Sequence, residues 1–251
     1  MRLDLLLVEK GLFKSRNKAQ AAILDNAIYV DDKLANKPSL DINENSKIEI
    51  KEEVCPFVSR GGYKLLEAIK EFNLDFNDKI IVDIGASTGG FTDCALQNNA
   101  KKVYAIDVGT NQLDSKLKND SRVISLENTN ILDIRGFDDE IDFFVMDVSF
   151  VSIEYLLPGL NNLIKDSKLI CLIKPQFELG KSHLKNGVVK DRKLHLKVLN
   201  QVNEALNEYN LGIKKLIPSP ILGGSGNKEF LALIERNIKT NINFIEICNK
   251  E

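Results

Sequence analysis

The sequence predicts an α/β fold with a mostly parallel sheet, preceded by a small α+β unit. Three features lead to this prediction. Short apolar runs alternate with helical segments from residue 79 onward, as expected for parallel strands covered on both faces. A glycine-rich turn follows the first of these runs. The first 50 residues have β-like pieces and turns of their own, and a unit of that size buries only a small core.

In the N-terminal part, leucines at positions 3, 6 and 7 fit one face of a short helix, and Ser15 can cap a second helix. Two β-like pieces follow, at residues 27–30 and 47–50, with turn residues between them. We therefore expect three parts along the chain: a first domain at 1–54, a linker at 55–58 and a second domain at 59–251.

The second domain shows the alternating pattern in detail. Its predicted helices are at 63–72, 91–97, 153–163 and 192–209. Its predicted strands are at 79–83, 102–107, 123–126, 142–147, 169–173, 213–218 and 229–235. A long loop is expected between residues 173 and 192.

The composition excludes several classes of protein. With 43% hydrophobic and 28% charged residues, the 251-residue chain has an ordinary globular composition. Its apolar runs, such as 169–173, are far shorter than the roughly 20 residues of a membrane helix. The stretch at 3–8 contains Asp4, so it does not read as a signal peptide. The four cysteines have no metal-binding or disulfide spacing. We expect a cytoplasmic protein with no metal site and no membrane association.

The charge is unevenly distributed along the chain. The net charge is −2, and residues 64–170 carry 11 basic against 18 acidic groups. Residues 171–197 carry 7 basic against 2 acidic groups. An acidic body disfavours indiscriminate binding of polyanions, because phosphate neutralisation needs clustered cations. A local basic strip still permits docking to RNA.

The clearest local signal is a strand that enters a glycine-rich turn and then a helix, with the sequence VDIGASTGGF at residues 82–91. Glycines allow close approach of the backbone to a ligand, and the helix N-terminus offers unpaired N–H groups. A nucleotide-like ligand fits such a turn. The candidate binding residues are Asp83, Gly85, Ala86, Ser87, Thr88, Gly89, Gly90 and Phe91.

Other interpretations of this turn stay open. The interpretation as a dinucleotide-binding site is less favoured, because Ser87 stands where the G-x-G-x-x-G motif has its second glycine. The same residues spell G-x-S-x-G, the nucleophile elbow of α/β-hydrolases, but the chain has only His183 and His195 to complete a triad. A tight turn that needs glycine and has no ligand is the third interpretation.

Charged residues follow the next strands. Asp107 ends a strand about 20 residues beyond the turn, where a carboxylate can accept both hydroxyls of a ribose, or else cap a helix beside Gly109. Asp147 ends a later strand at the same sheet edge, where burial without a partner is costly. Lys174 directly follows the apolar run 169–173, so we expect it to face an aspartate; its alternative is a solvated surface lysine.

These residues resemble known motifs. Lys64 in the segment SRGGYKL, Asp147, Lys174, and Glu229 in the segment GNKEF resemble the K-D-K-E tetrad of FtsJ-type ribose 2′-O-methyltransferases. The segments KSRNKA at 14–19 and KPS at 37–39 look like parts of an S4 RNA-binding domain. In this order, and over essentially the whole chain, the motifs are similar to those of the TlyA family, also called haemolysin A.

The resemblance implies a Rossmann-like S-adenosylmethionine-dependent methyltransferase sheet with a small N-terminal S4-type domain. It implies methyl transfer from S-adenosylmethionine to the ribose 2′-hydroxyl of a cytidine in ribosomal RNA. The large subunit is slightly favoured because the chain ends 22 residues after Glu229. A monomer that binds the ribosomal subunit is expected. A non-catalytic RNA-binding or ribosome-assembly protein and a membrane-active haemolysin are the alternatives, although no strongly amphipathic membrane helix is visible.

The resemblance also implies roles for single residues. Lys174 receives or steers the hydroxyl proton, Lys64 and Glu229 hold the ribose, and Asp147 orients Lys174. A lysine of ordinary pKa, about 10.4, is protonated at pH 7, so such a base needs desolvation or a second cation nearby. The adenosine is expected to lie against Asp107, Val108, Asn130 and Ile131. The candidate RNA contacts are Arg2, Lys14, Arg16, Lys18, Lys33, Lys37 and Arg60.

Overall fold

The computed structural model describes residues 1–13, 15–24, 27–50, 55–180, 184, 187–223 and 226–250. The chain forms two compact units, Met1–Pro56 and Phe57–Glu251. In the described part of the chain, every helix is too short or too polar to cross a bilayer.

The first unit has two helices and a small antiparallel sheet. Its elements are α1 (Leu3–Glu9), α2 (Arg16–Leu24), β1 (Ile28–Val30), β2 (Lys33–Leu34) and β3 (Ile48–Ile50). β1 lies between β2 and β3. Leu3, Leu7 and Ile23 are fully buried in its core, as the helical spacing predicts. β2 was not expected; Asp31 and Asp32 adopt positive φ and turn the chain between β1 and β2.

The second unit is a seven-stranded α/β sheet. Its strands are β4 (Ile80–Ile84), β5 (Lys102–Ile106), β6 (Val123–Leu126), β7 (Phe143–Met146), β8 (Lys168–Ile173), β9 (Leu211–Pro218) and β10 (Phe230–Arg236). Its helices are α3 (Gly61–Phe72), α4 (Gly90–Gln97), α5 (Ser115–Lys118), α6 (Ile153–Ile164), α7 (Pro175–Glu178), α8 (Arg192–Glu208) and α9 (Phe244–Asn249), with a 3₁₀ turn at Ile131–Asp133. The mixed α/β fold with a mostly parallel sheet is therefore confirmed.

The strand order is β6-β5-β4-β7-β8-β10-β9. β10 runs antiparallel to both β8 and β9, and the other pairs are parallel. Helices α6, α8 and α9 share one core with alternate strand residues such as Val82 and Phe144. The chain reverses its direction of travel across the sheet at β4, and ligands bind at such a switch point, beyond the carboxyl ends of the strands.

Several short elements of the second unit were not predicted, among them α5 and the 3₁₀ turn at Ile131–Asp133. The loop expected after residue 173 begins with the short helix α7, in which Pro175 takes the first position that suits its fixed φ. The C-terminal helix α9 was not expected; Asn243 caps it by accepting from the N–H groups of Ile245 and Glu246. Both elements are short, so periodicity in the sequence says little about them.

Candidate active site

The glycine-rich turn connects β4 to α4. Gly85, Ser87 and Gly89 have positive φ, so the backbone doubles back sharply before the helix begins. A Cβ on Gly85 would lie 3.0 Å from the carbonyl oxygen of Asp147, and a Cβ on Gly90 only 2.3 Å from Ser59 Oγ. Glycine is therefore needed here for close approach of neighbouring segments as well as for the turn itself.

Asp107 braces this turn from the end of β5. Its Oδ2 accepts from the Ser87 N–H at 2.7 Å, and its Oδ1 accepts from the Gly109 N–H at 2.7 Å. The contact with Gly109 is a local turn and not a helix cap, because the next helix, α5, begins only at Ser115. Each carboxylate oxygen can accept a second hydrogen bond, so Asp107 still has acceptors for a ligand.

A first cavity of about 490 Å³ opens beside the turn and Asp107. Asp107 and Asp147 both line it. Its apolar walls are unusually exposed, since 70% of Val108 and 91% of Phe150 are accessible to solvent. The lining includes Gly85, Ser87, Val108, Asn130, Ile131, Val148, Val151, Tyr155 and Leu156. Apolar walls for a base, a carboxylate for ribose hydroxyls and a second carboxylate for a cation fit S-adenosylmethionine.

Two of the predicted cofactor contacts do not line this cavity or the one next to it. Asp83 is fully buried beneath the turn, and its Oδ2 accepts from the Thr92 hydroxyl at 2.6 Å. Burial raises the pKa of Asp83 to about 7. Gly89 is buried against α5, where a Cβ would lie 2.2 Å from Leu117 Cδ1. Both residues support the turn from the side away from the cavities. The structure therefore does not place Asp83 or Gly89 in contact with a cofactor bound there.

A second cavity, of about 240 Å³, adjoins the first and shares Gly85, Ser87, Asp147 and Ser149 with it. It is narrower and more polar. The remaining lining residues are Ser59, Arg60, Gly61, Lys64, Ala86, Thr88, Gly90, Phe91, Lys174, Ile221 and Leu222. The predicted residues Ala86, Thr88, Gly90 and Phe91 thus line the second cavity and not the first.

The four residues of the predicted tetrad form one cluster at this cavity. Lys174 Nζ lies 2.5 Å from Asp147 Oδ1. Lys64 Nζ donates to Glu229 Oε2 at 2.7 Å and lies 3.9 Å from Asp147 Oδ2. Lys64, Lys174 and Glu229 are buried, whereas Asp147 is half-buried. The structure therefore brings together residues that are up to 165 positions apart in the chain.

Sequence reasoning missed several neighbours of this cluster. Lys174 Nζ donates to Ser149 Oγ at 3.0 Å, and Gln176 Nε2 donates to Glu229 Oε1 at 2.9 Å. Phe150, with a φ of 65°, presents its ring 4.9 Å from that of Phe177. Gln176 and Phe177 follow Lys174 by two and three positions in the sequence. This proximity is the one signal that could have indicated these two residues. The exposure of Phe150 depends on a backbone angle that the sequence does not reveal.

The hydrolase interpretation finds no support in the described residues. Ser87 Oγ donates to Gln112 Oε1 at 3.3 Å. His195 is buried in α8, with its Nε2 3.0 Å from the Val189 carbonyl oxygen. His183 lies outside the described residues.

The predicted RNA contacts have varied surroundings. Arg2 and Arg16 both pair with the fully buried Asp4, at 3.0 and 2.9 Å. Gln20 Nε2 donates to the same carboxylate at 2.6 Å. These three donors, Arg2 first, hold the pKa of Asp4 well below its usual range.

The remaining predicted RNA contacts are lysines and one arginine. Lys33 and Lys37 are exposed. Arg60 lines the second cavity at the start of α3. Lys14 and the side chain of Lys18 lie outside the described part of the structure.

Comparison with known proteins defines the class. The model of the FtsJ-like methyltransferase family matches residues 57–236, and the model of the S4 domain matches residues 1–48. This chain is thus an FtsJ-like methyltransferase with an S4 domain at its N-terminus.

Individual relatives narrow the family. A candidate rRNA methyltransferase of Bacillus subtilis, YqxC, is 45% identical over 235 residues, which cover 92% of this chain and 84% of the relative. The 16S/23S rRNA (cytidine-2′-O)-methyltransferase TlyA of Mycobacterium tuberculosis is 36% identical over 240 residues, covering 91% and 87% of the two chains. The structure of a candidate hemolysin from Streptococcus thermophilus matches with a TM-score of 0.79 and 39% identity, over 99% and 94%. The chain belongs to the TlyA family.

Proposed function

We propose that this protein transfers a methyl group from S-adenosylmethionine to the ribose 2′-hydroxyl of a cytidine in ribosomal RNA, in the cytoplasm. The observation that carries the proposal is the meeting of the two cavities at Asp147. One cavity suits a nucleoside cofactor, and the other contains two buried lysine amines held by carboxylates. The choice of cytidine follows the name of the Mycobacterium tuberculosis relative.

The first cavity offers partners for the ribose and for the adenine of the cofactor. S-adenosylmethionine supplies an electrophilic methyl group on a sulfonium sulfur. Asp107 accepts from the ribose hydroxyls with the acceptor positions that Ser87 and Gly109 leave open. Val108, Asn130 and Ile131 border the adenine.

The second cavity holds the nucleotide that receives the methyl group. Lys64 and Glu229 position its ribose, and Lys174 receives or steers the proton that leaves the 2′-hydroxyl. Ser149 and Asp147 fix Lys174 Nζ from two sides, so the amine has a defined place before the substrate arrives. Fixing both reactants in line supplies a large part of the rate in such a transfer. Phe150 lines the first cavity and directly follows Ser149, which both cavities share, so its exposed ring offers a stacking surface for a base where the two cavities meet.

The first unit supplies RNA affinity. Arg2 and Arg16 are held by Asp4 but remain about half exposed, so their outer N–H groups can bind phosphate. Lys33 and Lys37 add exposed cations, and Lys14 and Lys18 belong to the same proposed set. The net-acidic stretch 64–170 disfavours RNA binding by that part of the second unit, which supports this division of labour.

Methyl transfer by the purified protein tests the proposal. Ribosomal RNA from cells that lack this gene is incubated with labelled S-adenosylmethionine, and incorporation into the 16S and 23S molecules is counted separately. We expect label in RNA that resists alkaline cleavage at the methylated ribose. RNA binding without any incorporation would identify a non-catalytic binding protein instead. The relative's name includes both subunits, so the preference for the large subunit stays a prediction.

A further inference from the structure

Two segments of the chain meet at the boundary between the two cavities. The first, residues 147–151, follows β7 and lines the first cavity, and its Asp147 and Ser149 also line the second. The second, residues 174–178, contains Lys174 and α7. Within this boundary, Lys174 contacts Asp147 and Ser149, and the ring of Phe177 lies against that of Phe150. The position of Lys174 therefore depends on how these two segments are held together.

Glu178, the last residue of α7, makes a further link between them. Its two carboxylate oxygens lie 3.1 and 3.3 Å from the backbone nitrogen of Ile153, which donates to them. Ile153 is the first residue of α6, where N–H groups have no partner within the helix and the helix dipole favours a negative charge. α6 has a cap of its own, since Ser152 Oγ accepts from the Tyr155 N–H at 3.4 Å. Glu178 is thus a second acceptor, supplied by the segment that contains Lys174.

This carboxyl group is held at a cost in free energy. Burial raises the pKa of Glu178 to about 7, the hydrogen bond from Ile153 offsets part of that rise, and the charge of Glu154 adds to it. An apolar residue at this position would avoid the desolvation. The hydrogen bond between Glu178 and the start of α6 is therefore better explained by a role in placing the two segments than by a contribution to the stability of the fold.

We propose that Glu178 is a positioning residue that ties the start of α6 to the segment of Lys174 and so sets the place of Lys174 relative to the cofactor. The inference rests on the proposed function. The start of α6 forms part of the cofactor cavity through Tyr155 and Leu156. On the other side, Gln176 of α7 holds Glu229. Loss of the link therefore loosens the cofactor wall and the lysine segment together.

The experiment compares three variants of the full chain. Glu178→Ala removes the link. Glu178→Gln keeps a side-chain oxygen that can accept from Ile153 N–H without a charge. Ser152→Ala is the matched control, because it removes the other cap of α6 and leaves the link to α7 intact. For each we measure the melting temperature, the Kd for S-adenosylhomocysteine by calorimetry, and kcat and KM for methyl transfer to ribosomal RNA.

We expect Glu178→Ala to lower kcat at least tenfold and to weaken S-adenosylhomocysteine binding three- to tenfold. Glu178→Gln should restore both within about threefold, and Ser152→Ala should lower the melting temperature with kcat within twofold of wild type. Equal losses of kcat in Glu178→Ala and Ser152→Ala, unchanged kcat and Kd in Glu178→Ala, or no rescue by Glu178→Gln would each overturn the inference. A wild-type protein that does not methylate RNA would refute the proposed function, and the Kd series, which needs no turnover, would still test the link.

Discussion

Two clusters of this molecule pair carboxylates with cations, and the clusters differ in how deeply the cations are buried. In the first unit the carboxylate of Asp4 is fully buried, while Arg2 and Arg16 are 44% and 49% exposed. In the second unit Lys64 and Lys174 are only 9% and 8% exposed, while Asp147 is 21% exposed. The arginine side chains are therefore about half exposed, whereas the two lysines are buried and line the second cavity.

The chemistry of the two cations explains this difference. A guanidinium keeps its charge at any accessible pH and binds phosphate through a planar fork of donors. It therefore suits a surface that only binds RNA. A lysine amine can change its protonation state in a desolvated site, so it suits the place where a proton must be received or steered. Under the proposed roles, the molecule separates RNA binding from chemistry by the type of cation and by its burial.

Exchange of lysine for arginine at position 174 tests this difference between the two clusters, and it is the substitution from which we expect the largest effect. Lys174→Arg keeps the charge beside Asp147 but cannot take up a proton, so we expect kcat to fall by ~10²- to 10⁴-fold, as in Lys174→Ala. The Kd for the cofactor, held mainly by the turn and Asp107, should stay within a few-fold. Steady-state kinetics and calorimetry measure the two. If Lys174→Arg kept most of its activity, the lysine would act only as a charge. Lys64→Ala should lower kcat less than Lys174→Ala does, because Lys64 is expected only to position the ribose.

Asp107 extends the comparison to a carboxylate that contacts backbone amides instead of cations. Asp107→Ala removes the acceptors for the ribose hydroxyls and the brace of Ser87 and Gly109. We expect a loss of about 1.5 to 3 kcal/mol in cofactor binding, or roughly 10- to 150-fold in Kd. RNA affinity should not change, which a filter-binding assay checks in parallel. An unaltered cofactor Kd would remove Asp107 from the site.

Substitutions of Arg16 test the same difference in the first unit. Arg16→Ala should weaken RNA binding by roughly three- to tenfold and reduce the dependence of log K on log salt by about one. Arg16→Lys should keep most of that slope, because only charge and reach are needed there. The matched control is Lys10→Ala, an exposed cation of the same unit outside the predicted set. Loss of kcat at saturating RNA in Arg16→Ala would contradict the separation of binding from chemistry.

Asp83 is a buried carboxyl group for which the described structure shows a hydroxyl partner and no cation. We expect it to affect the pH dependence of stability, and neither binding nor turnover directly. Burial raises its pKa from 3.8 to about 7, so the folded state binds more protons than the unfolded state between those values. The free energy of unfolding should therefore fall as the pH rises from about 4 to 7 and stay level above that window. Asp83→Asn should flatten this part of the profile in denaturant titrations. If the free energy of unfolding fell more steeply with pH in Asp83→Asn than in wild type, the carboxyl group of Asp83 would be stabilised as an anion in the folded protein.

Much of the fold could be predicted from the sequence because its strands are apolar runs with helices between them. The edge of the sheet could be predicted as well, since Asp107, Asp147 and Lys174 each follow a strand directly. Lys64 and Glu229 came from the resemblance alone, because no periodicity indicates that α3 lies close to the start of β10. Asp83 was placed at the ligand because its motif was read as a unit, although alternate strand residues point to opposite faces.

What the sequence did not indicate depends on three-dimensional detail. Phe150 is exposed because its backbone has a positive φ, which is uncommon for a bulky residue. Glu178 faces the start of α6 because a four-residue helix turns it there. Arg2 and Arg16 were predicted as cations for RNA, but their common partner Asp4 became evident only from the packing of α1 against α2.

Methylation of a ribose in ribosomal RNA, and the need for Lys174 in that transfer, can be tested in cells. Ribosomal RNA is mapped by mass spectrometry in cells that lack the gene and in the same cells supplied with wild type or with Lys174→Arg. We expect a 2′-O-methylcytidine that is present with the wild-type protein and absent with Lys174→Arg and in cells without the gene. A methyl group on a base, identical RNA in all three cells, or the same modified cytidine with Lys174→Arg would contradict it.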